Sequence, residues 1–402
     1  MTVETPPQEL SAVDGGVIDD ARRRQRRQRG AGTAALIVAT TIGLITYLAL
    51  GGPGGAAHRT NPAERGGAAS AVRGALKAPY GLAVAPGGAL YVVDTGRDQV
   101  LRRLRPGVFV VVAGNGRRGF SGDGGRAANA ELNLANDSGI VVARNGTLYI
   151  ADSGNGRVRA VGADGIIETV AGDGRPGVGR GLILHNAPAL DASLGEIAGL
   201  AIGPNGDLYI AAHNVVRLTS AHTIDWVAGG NDPIRCGSVF CNPAGEADFD
   251  QPDQLAFDGA GDLFVSSSSF GLLEIAAGRL EYLGQARGDG NSEALAEAPN
   301  GTVVQAGRDG LSRLPAKGLI TPPKATEGVM LAPGRPIRGN LDHALGRDRR
   351  LGRGNIFIGG NGVAVGPGGG IYVDTNVGNT FTSVSALVEV TPTGTVRPLW
   401  TS

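Results

Sequence analysis

The chain has 402 residues, with 37 Lys and Arg against 37 Asp and Glu. That balance excludes strong electrostatic capture of nucleic acid, so no nucleic-acid partner is expected. Glycine contributes 68 residues without a Gly-X-Y period, which excludes a collagen-like fibre. Aromatic residues make up only 4%, so a core must be built from Val, Leu, Ile and Ala.

Residues 1–29 are polar. Five acids, Glu4 to Asp20, are followed by six arginines between Arg22 and Arg29, and this segment is expected to be a disordered tail. Residues 31–50 carry no charge. At about 1.5 Å per residue they would span roughly 30 Å, one hydrocarbon core, which places a transmembrane signal anchor at 30–50. Arginines on one flank put that flank in the cytoplasm and everything after the span outside the cell membrane. A cleaved signal peptide is the alternative, but Leu48-Ala49-Leu50 is a poor cleavage site. Residues 51–75, rich in Gly, Ala and Arg, read as a flexible linker.

From residue 76 to 400 one pattern recurs. Gly81-Leu82-Ala83-Val84 leads through Pro86-Gly87-Gly88 to Leu90-Tyr91-Val92. The same order returns from Gly139 through Asn145-Gly146 to Ile150, and from Gly199 through Asn205-Gly206 to Ile210. Weaker copies centre on Leu255, Leu295 and Val363, giving six copies at spacings of 58, 60, 55, 40 and 68 residues from Leu82. Asn-Gly between short apolar runs signals a hairpin, since the tight turn needs positive φ. Two further strands complete the clearer copies: 100–104 and 108–112 in the first, 158–161 and 166–170 in the second, 386–390 and 395–399 in the last. Six units of four antiparallel strands predict an all-β fold, a six-bladed β-propeller, in which radial closure protects the sheet edges. Uneven spacing argues against an open solenoid, because insertions become rim loops.

The copies resemble NHL repeats. The most specific segment runs from Val112-Ala113-Gly114-Asn115-Gly116 through Gly119-Phe120-Ser121-Gly122-Asp123-Gly124-Gly125 to Asn133, followed by Ala151-Asp152-Ser153-Gly154-Asn155-Gly156-Arg157-Val158-Arg159. This resembles the blade connection of bacterial NHL proteins, and a membrane-anchored type fits the uncharged span. The resemblance implies an extracytoplasmic sensor or scaffold, of a kind joined in some proteins to a cytoplasmic kinase. Other NHL-like propellers are lyases or hydrolases with metal-bound histidines in the central channel, which is the alternative reading.

Little in the chain supplies such chemistry. The residues after the second strand are Asp94, Asp152, His213, Ser267, Ala306 and Asp374 or Thr375, so one histidine stands where a trihistidine set needs three. Asp94, Asp152 and His213 are candidates for the channel mouth, with backbone-amide capping the competing role for the two aspartates. His185, His222 and His343 show no ligand spacing. The glycine-rich stretch 120–125 lacks the Lys-Ser/Thr of a phosphate cradle and reads as a tight crossing between blades. No cofactor is expected, and catalytic residues are not assigned.

Departures from the repeat are the candidate binding elements. Cys236 and Cys241, the two cysteines of the chain, are close enough for a local disulfide, which would persist outside the cell. Glu246, Asp248, Asp250 and Asp253 form a candidate cation site or a solvated acidic rim. The insertion 312–360 carries Arg335, Arg338, Arg347, Arg349, Arg350 and Arg353, suited to an acidic partner such as an anionic cell-wall polymer, an envelope protein or the membrane surface. The sequence therefore points to a membrane-tethered ligand- or protein-binding domain of the bacterial cell envelope.

Overall fold

The computed structural model describes residues 71–73, 76–135, 138–175, 186–229, 252–268, 271–277, 279–284, 294–307, 310–314, 362–379, 382–392 and 396–401. Outside these lie the tail, the anchor, most of the linker, His185, His343, Cys236, Cys241, Glu246, Asp248, Asp250 and the six arginines of the insertion. Among the described residues, no helix is long and apolar enough to cross a membrane.

Six antiparallel sheets follow one another along the chain. Blade 1 comprises, from the inner strand outward, Pro79–Val84, Leu90–Asp94, Gln99–Arg105 and Val108–Ala113. Blade 2 repeats this with Ile140–Val142, Leu148–Asp152, Arg157–Val161 and Ile166–Ala171. Blade 3 uses Leu200–Ile202, Leu208–Ala211, Val215–Leu218 and Thr223–Ala228. Blade 4 uses Pro252–Phe257, Leu263–Ser267, Gly271–Ala276 and Arg279–Gly284. Three strands of blade 5 are described, Ala294–Glu297, Val303–Gly307 and Gly310–Leu314. Blade 6 is Gly362–Val365, Ile371–Asn379, Thr382–Val390 and Val396–Thr401.

Strand periodicity explains how the ring closes. Successive side chains point to opposite faces of a sheet. In Leu90–Asp94, Tyr91 and Val93 join residues of blade 2, whereas Leu90 and Val92 pack with Leu387, Leu399 and Trp400 of blade 6. Both faces are covered, so the strand runs apolar from Leu90 to Val93 rather than alternating. Four further junctions are built alike, each by one apolar cluster shared between consecutive blades. The last junction returns blade 6 to blade 1, where Gly107 N also donates to Leu399 O at 3.1 Å.

The glycine that opens the repeat has its reason at the axis. A Cβ on Gly139 would lie 2.5 Å from the Ala198 carbonyl oxygen, and one on Gly199 would lie 2.6 Å from that of Asp253. Gly81 and Gly362 meet the next blade's backbone in the same way, at Ser138 and Tyr80. The inner strands thus approach with no space for a side chain between them.

Two features depart from the four-strand expectation. Blades 1 to 3 gain a short fifth strand on the outer edge, Ala71–Arg73, Gly125–Arg126 and Ala187–Pro188, because the chain entering each blade pairs with that blade's outer strand on its way inward. In blade 6 the second and third strands run nine residues each and pair to Asn379↔Thr382, so the third strand starts at Thr382 rather than 386. The run 375–385 has no Pro and no charge, and nothing in it stops the ladder.

Candidate binding face

All inner strands start, and all second strands finish, at the same end of the propeller. Side chains confirm the proximity in blade 1, where the Asp94 carboxylate at the end of the second strand accepts from Lys77 N at 3.0 Å and Ala78 N at 3.0 Å, just before the inner strand. Every connection between blades is therefore delivered to this end. The opposite end carries short turns of similar length, such as Pro86-Gly87-Gly88 and Pro204-Asn205-Gly206.

Asp94 is fully buried and also pairs with Arg97 Nη1 at 2.8 Å. Asp152, equally buried, accepts from Asn133 N at 2.8 Å and from Asn155 Nδ2 at 2.9 Å. Asp374 accepts from Gly362 N and completes the set. Each of these carboxylates locks an incoming inner strand onto the turn beside it. His213 is half-buried in the short turn between the second and third strands of blade 3. His222 lies at the other end of that third strand, in a turn with φ +59°. The two described histidines are thus at opposite ends of blade 3. Among the described residues, no three His, Cys, Asp or Glu are grouped to hold a metal ion. Asp253, the one described member of the acidic set, accepts from Ser268 N at 2.6 Å.

The crossing from blade 1 to blade 2 is the most elaborate element of this region. Gly122 adopts φ +96°, and a Cβ there would meet the Ala130 side chain at 2.7 Å, so the strap folds flat on itself. Phe120 lies under two guanidinium groups, with Arg157 Cζ 4.0 Å and Arg159 Cζ 4.9 Å from its ring centroid. Arg159 has no solvent exposure. It donates to Asp152 Oδ2 at 3.2 Å, to Asp123 Oδ1 at 2.7 Å and to the Ser121 carbonyl at 3.0 Å. Thr169 Oγ1 donates to the other oxygen of Asp123 at 2.8 Å, and Asn155 Nδ2 to Gly119 O at 2.7 Å. Burial raises the Asp152 carboxyl above its ordinary value, against the lowering effect of Asn155, Asn133 N and Arg159. The tight crossing is therefore also a polar latch. The alternation of Arg157 and Arg159 with Val158 and Ala160 was visible in the sequence, but the strap residues they meet, Phe120, Ser121 and Asp123, lie more than 30 residues away.

Fold and strap together define an NHL-type propeller. The family model for the Teneurin NHL domain matches residues 109–268. That match and the six-bladed ring support a relationship to the NHL-repeat β-propeller family. Among solved structures, it is similar to virginiamycin B lyase from Staphylococcus aureus, with 11% identity over 82% of this chain and 87% of the other and a TM-score of 0.45. It is similar to a putative gluconolactonase, with 14% identity over 83% and 95% and a TM-score of 0.46. It is also similar to the PQQ-bound aldose sugar dehydrogenase of Streptomyces coelicolor, with 18% identity over 78% and 94% and a TM-score of 0.42.

Proposed function

We propose that this chain is an extracytoplasmic binding domain, tethered to the cell membrane by residues 30–50, whose propeller holds a partner at the end where the blade connections gather. The observation that supports this reading is topological. Six inner strands start at one end. The cysteine pair, the acidic connection and the arginine-rich insertion are each chain leading into one of those starts. A rigid ring that sends its variable segments to one end is suited to recognition. The partner class is an envelope protein or an anionic cell-wall polymer, matched by Arg335, Arg338, Arg347, Arg349, Arg350 and Arg353.

The test is recovery from envelope extracts on the full-length chain, comparing wild type with a deletion of 320–358. A partner retained by the wild type and lost on deletion, with the thermal transition unchanged, is the expected outcome. The same partners on both proteins would defeat the role of the insertion. Membrane-impermeant alkylation of Cys236 and Cys241 in intact cells, with and without reductant, tests topology and disulfide together. Labelling only after reduction is expected, and labelling without reductant rules out the disulfide. Protection from the reagent even after reduction rules out the outward orientation.

A further inference from the structure

The net charge of zero conceals a polarised ring. Blade 1, residues 76–113, carries five Lys and Arg against two Asp. Both aspartates are buried and hydrogen-bonded, so the solvent-facing charge of this blade is positive throughout. Blade 4, residues 252–284, carries five Asp and Glu against one Arg. Blades 2, 3, 5 and 6 are each within one charge of neutral over 139–175, 200–229, 294–314 and 362–401. In a six-membered ring the first and fourth blades stand opposite each other.

The two charged sectors also lie at the same level. Arg105 is exposed and ends the third strand of blade 1, beside the Pro106-Gly107 turn, with half-buried Arg102 and Arg103 just before it and exposed Leu104 between. In blade 4, Glu274 and Glu281 face each other across the third and outer strands, next to the equivalent turn. Like charges directly opposite in a ladder destabilise the sheet that contains them. Asp258 adds a buried carboxylate oxygen without a hydrogen-bond donor among the described residues. Burial, and then Asp262, Glu281 and Asp258, push the Glu274 carboxyl up.

We infer that the basic sector of blade 1 docks on the acidic sector of blade 4 of a second copy of this chain, side by side and head to tail. One occupant accounts for both patches, since each supplies the charge the other lacks. The contact is heterologous, so it propagates into rows rather than closing as a two-fold dimer. It is independent of which partner binds at the connection end, because the docking residues lie toward the opposite end.

The experiment is sedimentation velocity on the full-length chain in an uncharged detergent. At about 20 mM salt the mass should rise with protein concentration, and at about 0.5 M salt it should fall to the single chain, because screening lengths shrink to a few ångströms. The variant Arg102→Glu/Arg105→Glu and the variant Glu274→Lys/Glu281→Lys should each associate at least tenfold more weakly. Mixed in equal amounts they should associate again, which also shows that both are folded. Mass independent of salt and concentration would overturn the inference. So would a mixture that stays monomeric while both variants melt like the wild type. Loss on reversing the arginines but not the glutamates would assign the basic sector to another acidic surface, such as anionic lipid, and equally overturn it.

Discussion

Arg159 is the most informative single position. Replacing it with Met keeps most of the side-chain length and removes the guanidinium. Asp152, with no solvent exposure, then loses its cation, and Asp123 Oδ1 and the Ser121 carbonyl lose the Arg159 donor. Breaking a buried pair by removing one member costs about 3–5 kcal/mol. An unfolding entropy of about 2.1 cal/mol/K per residue, over roughly 330 residues, is about 0.7 kcal/mol/K, so the melting temperature should fall by about 4–7 °C. The Asp123 side chain is 45% exposed, so its pairing with Arg159 is screened, and Asp123→Ala should cost about 1 kcal/mol or less. Arg159→Met combined with Asp152→Asn should recover part of the loss, since the orphaned charge is gone. Calorimetry of the four proteins is the assay. A loss below about 1 kcal/mol for Arg159→Met, or an equal loss for Asp123→Ala, would show that the latch is not held by the buried pair.

Other expectations follow from the same geometry. Burial raises the folded-state pKa of Asp152 above the unfolded value of about 3.9, so its contribution is fully present below that value and is lost as pH rises through the raised pKa. The stability of wild type relative to Asp152→Asn should therefore decline across that window in urea titrations, and an increase would contradict the stated direction. Gly199→Ala should cost at least about 2 kcal/mol, because its Cβ meets backbone 2.6 Å away, whereas Gly87→Ala, with open space around it, should be within about 0.5 kcal/mol of neutral. Equal melting temperatures for the two would refute close approach at the axis. Trp400→Ala should cost about 3–5 kcal/mol and speed amide exchange in Leu90–Asp94 of blade 1, the other side of the closing cluster. Protection unchanged in that strand would mean that closure does not depend on this cluster.

Fold class and blade number were legible because the repeat is written in local terms. Each copy carries its own turn glycine and its own pair of apolar runs, and a period-two strand reads directly from neighbours in the chain. The Pro86-Gly87-Gly88 turn and the strand after it are where the pattern places them. Other features were present in the sequence without being interpretable. Asp94 and Asp152 stood out at equivalent positions, yet channel lining and backbone capping predict the same residue, and only the amides of Ala78 and Asn133 distinguish them. The nine-residue strands of blade 6 exceed the repeat because 375–385 holds no Pro and no charge to end the ladder, a length that only pairing with the neighbouring strand reveals.

What the sequence by itself determined is the local grammar: strand, turn, strand, six times, with a conspicuous Gly before each clear inner strand. What only the tertiary structure decided is what those residues meet. Gly139 is required by a carbonyl about 60 positions further along, at Ala198. Arg159 is neutralised by carboxylates on its own blade and on the strap that precedes it. The charges of blades 1 and 4 cancel in a sum over the chain but oppose each other once the ring is closed. Turn chemistry acts over a few residues, whereas packing and Coulomb interactions act through space, and ring closure sets those distances.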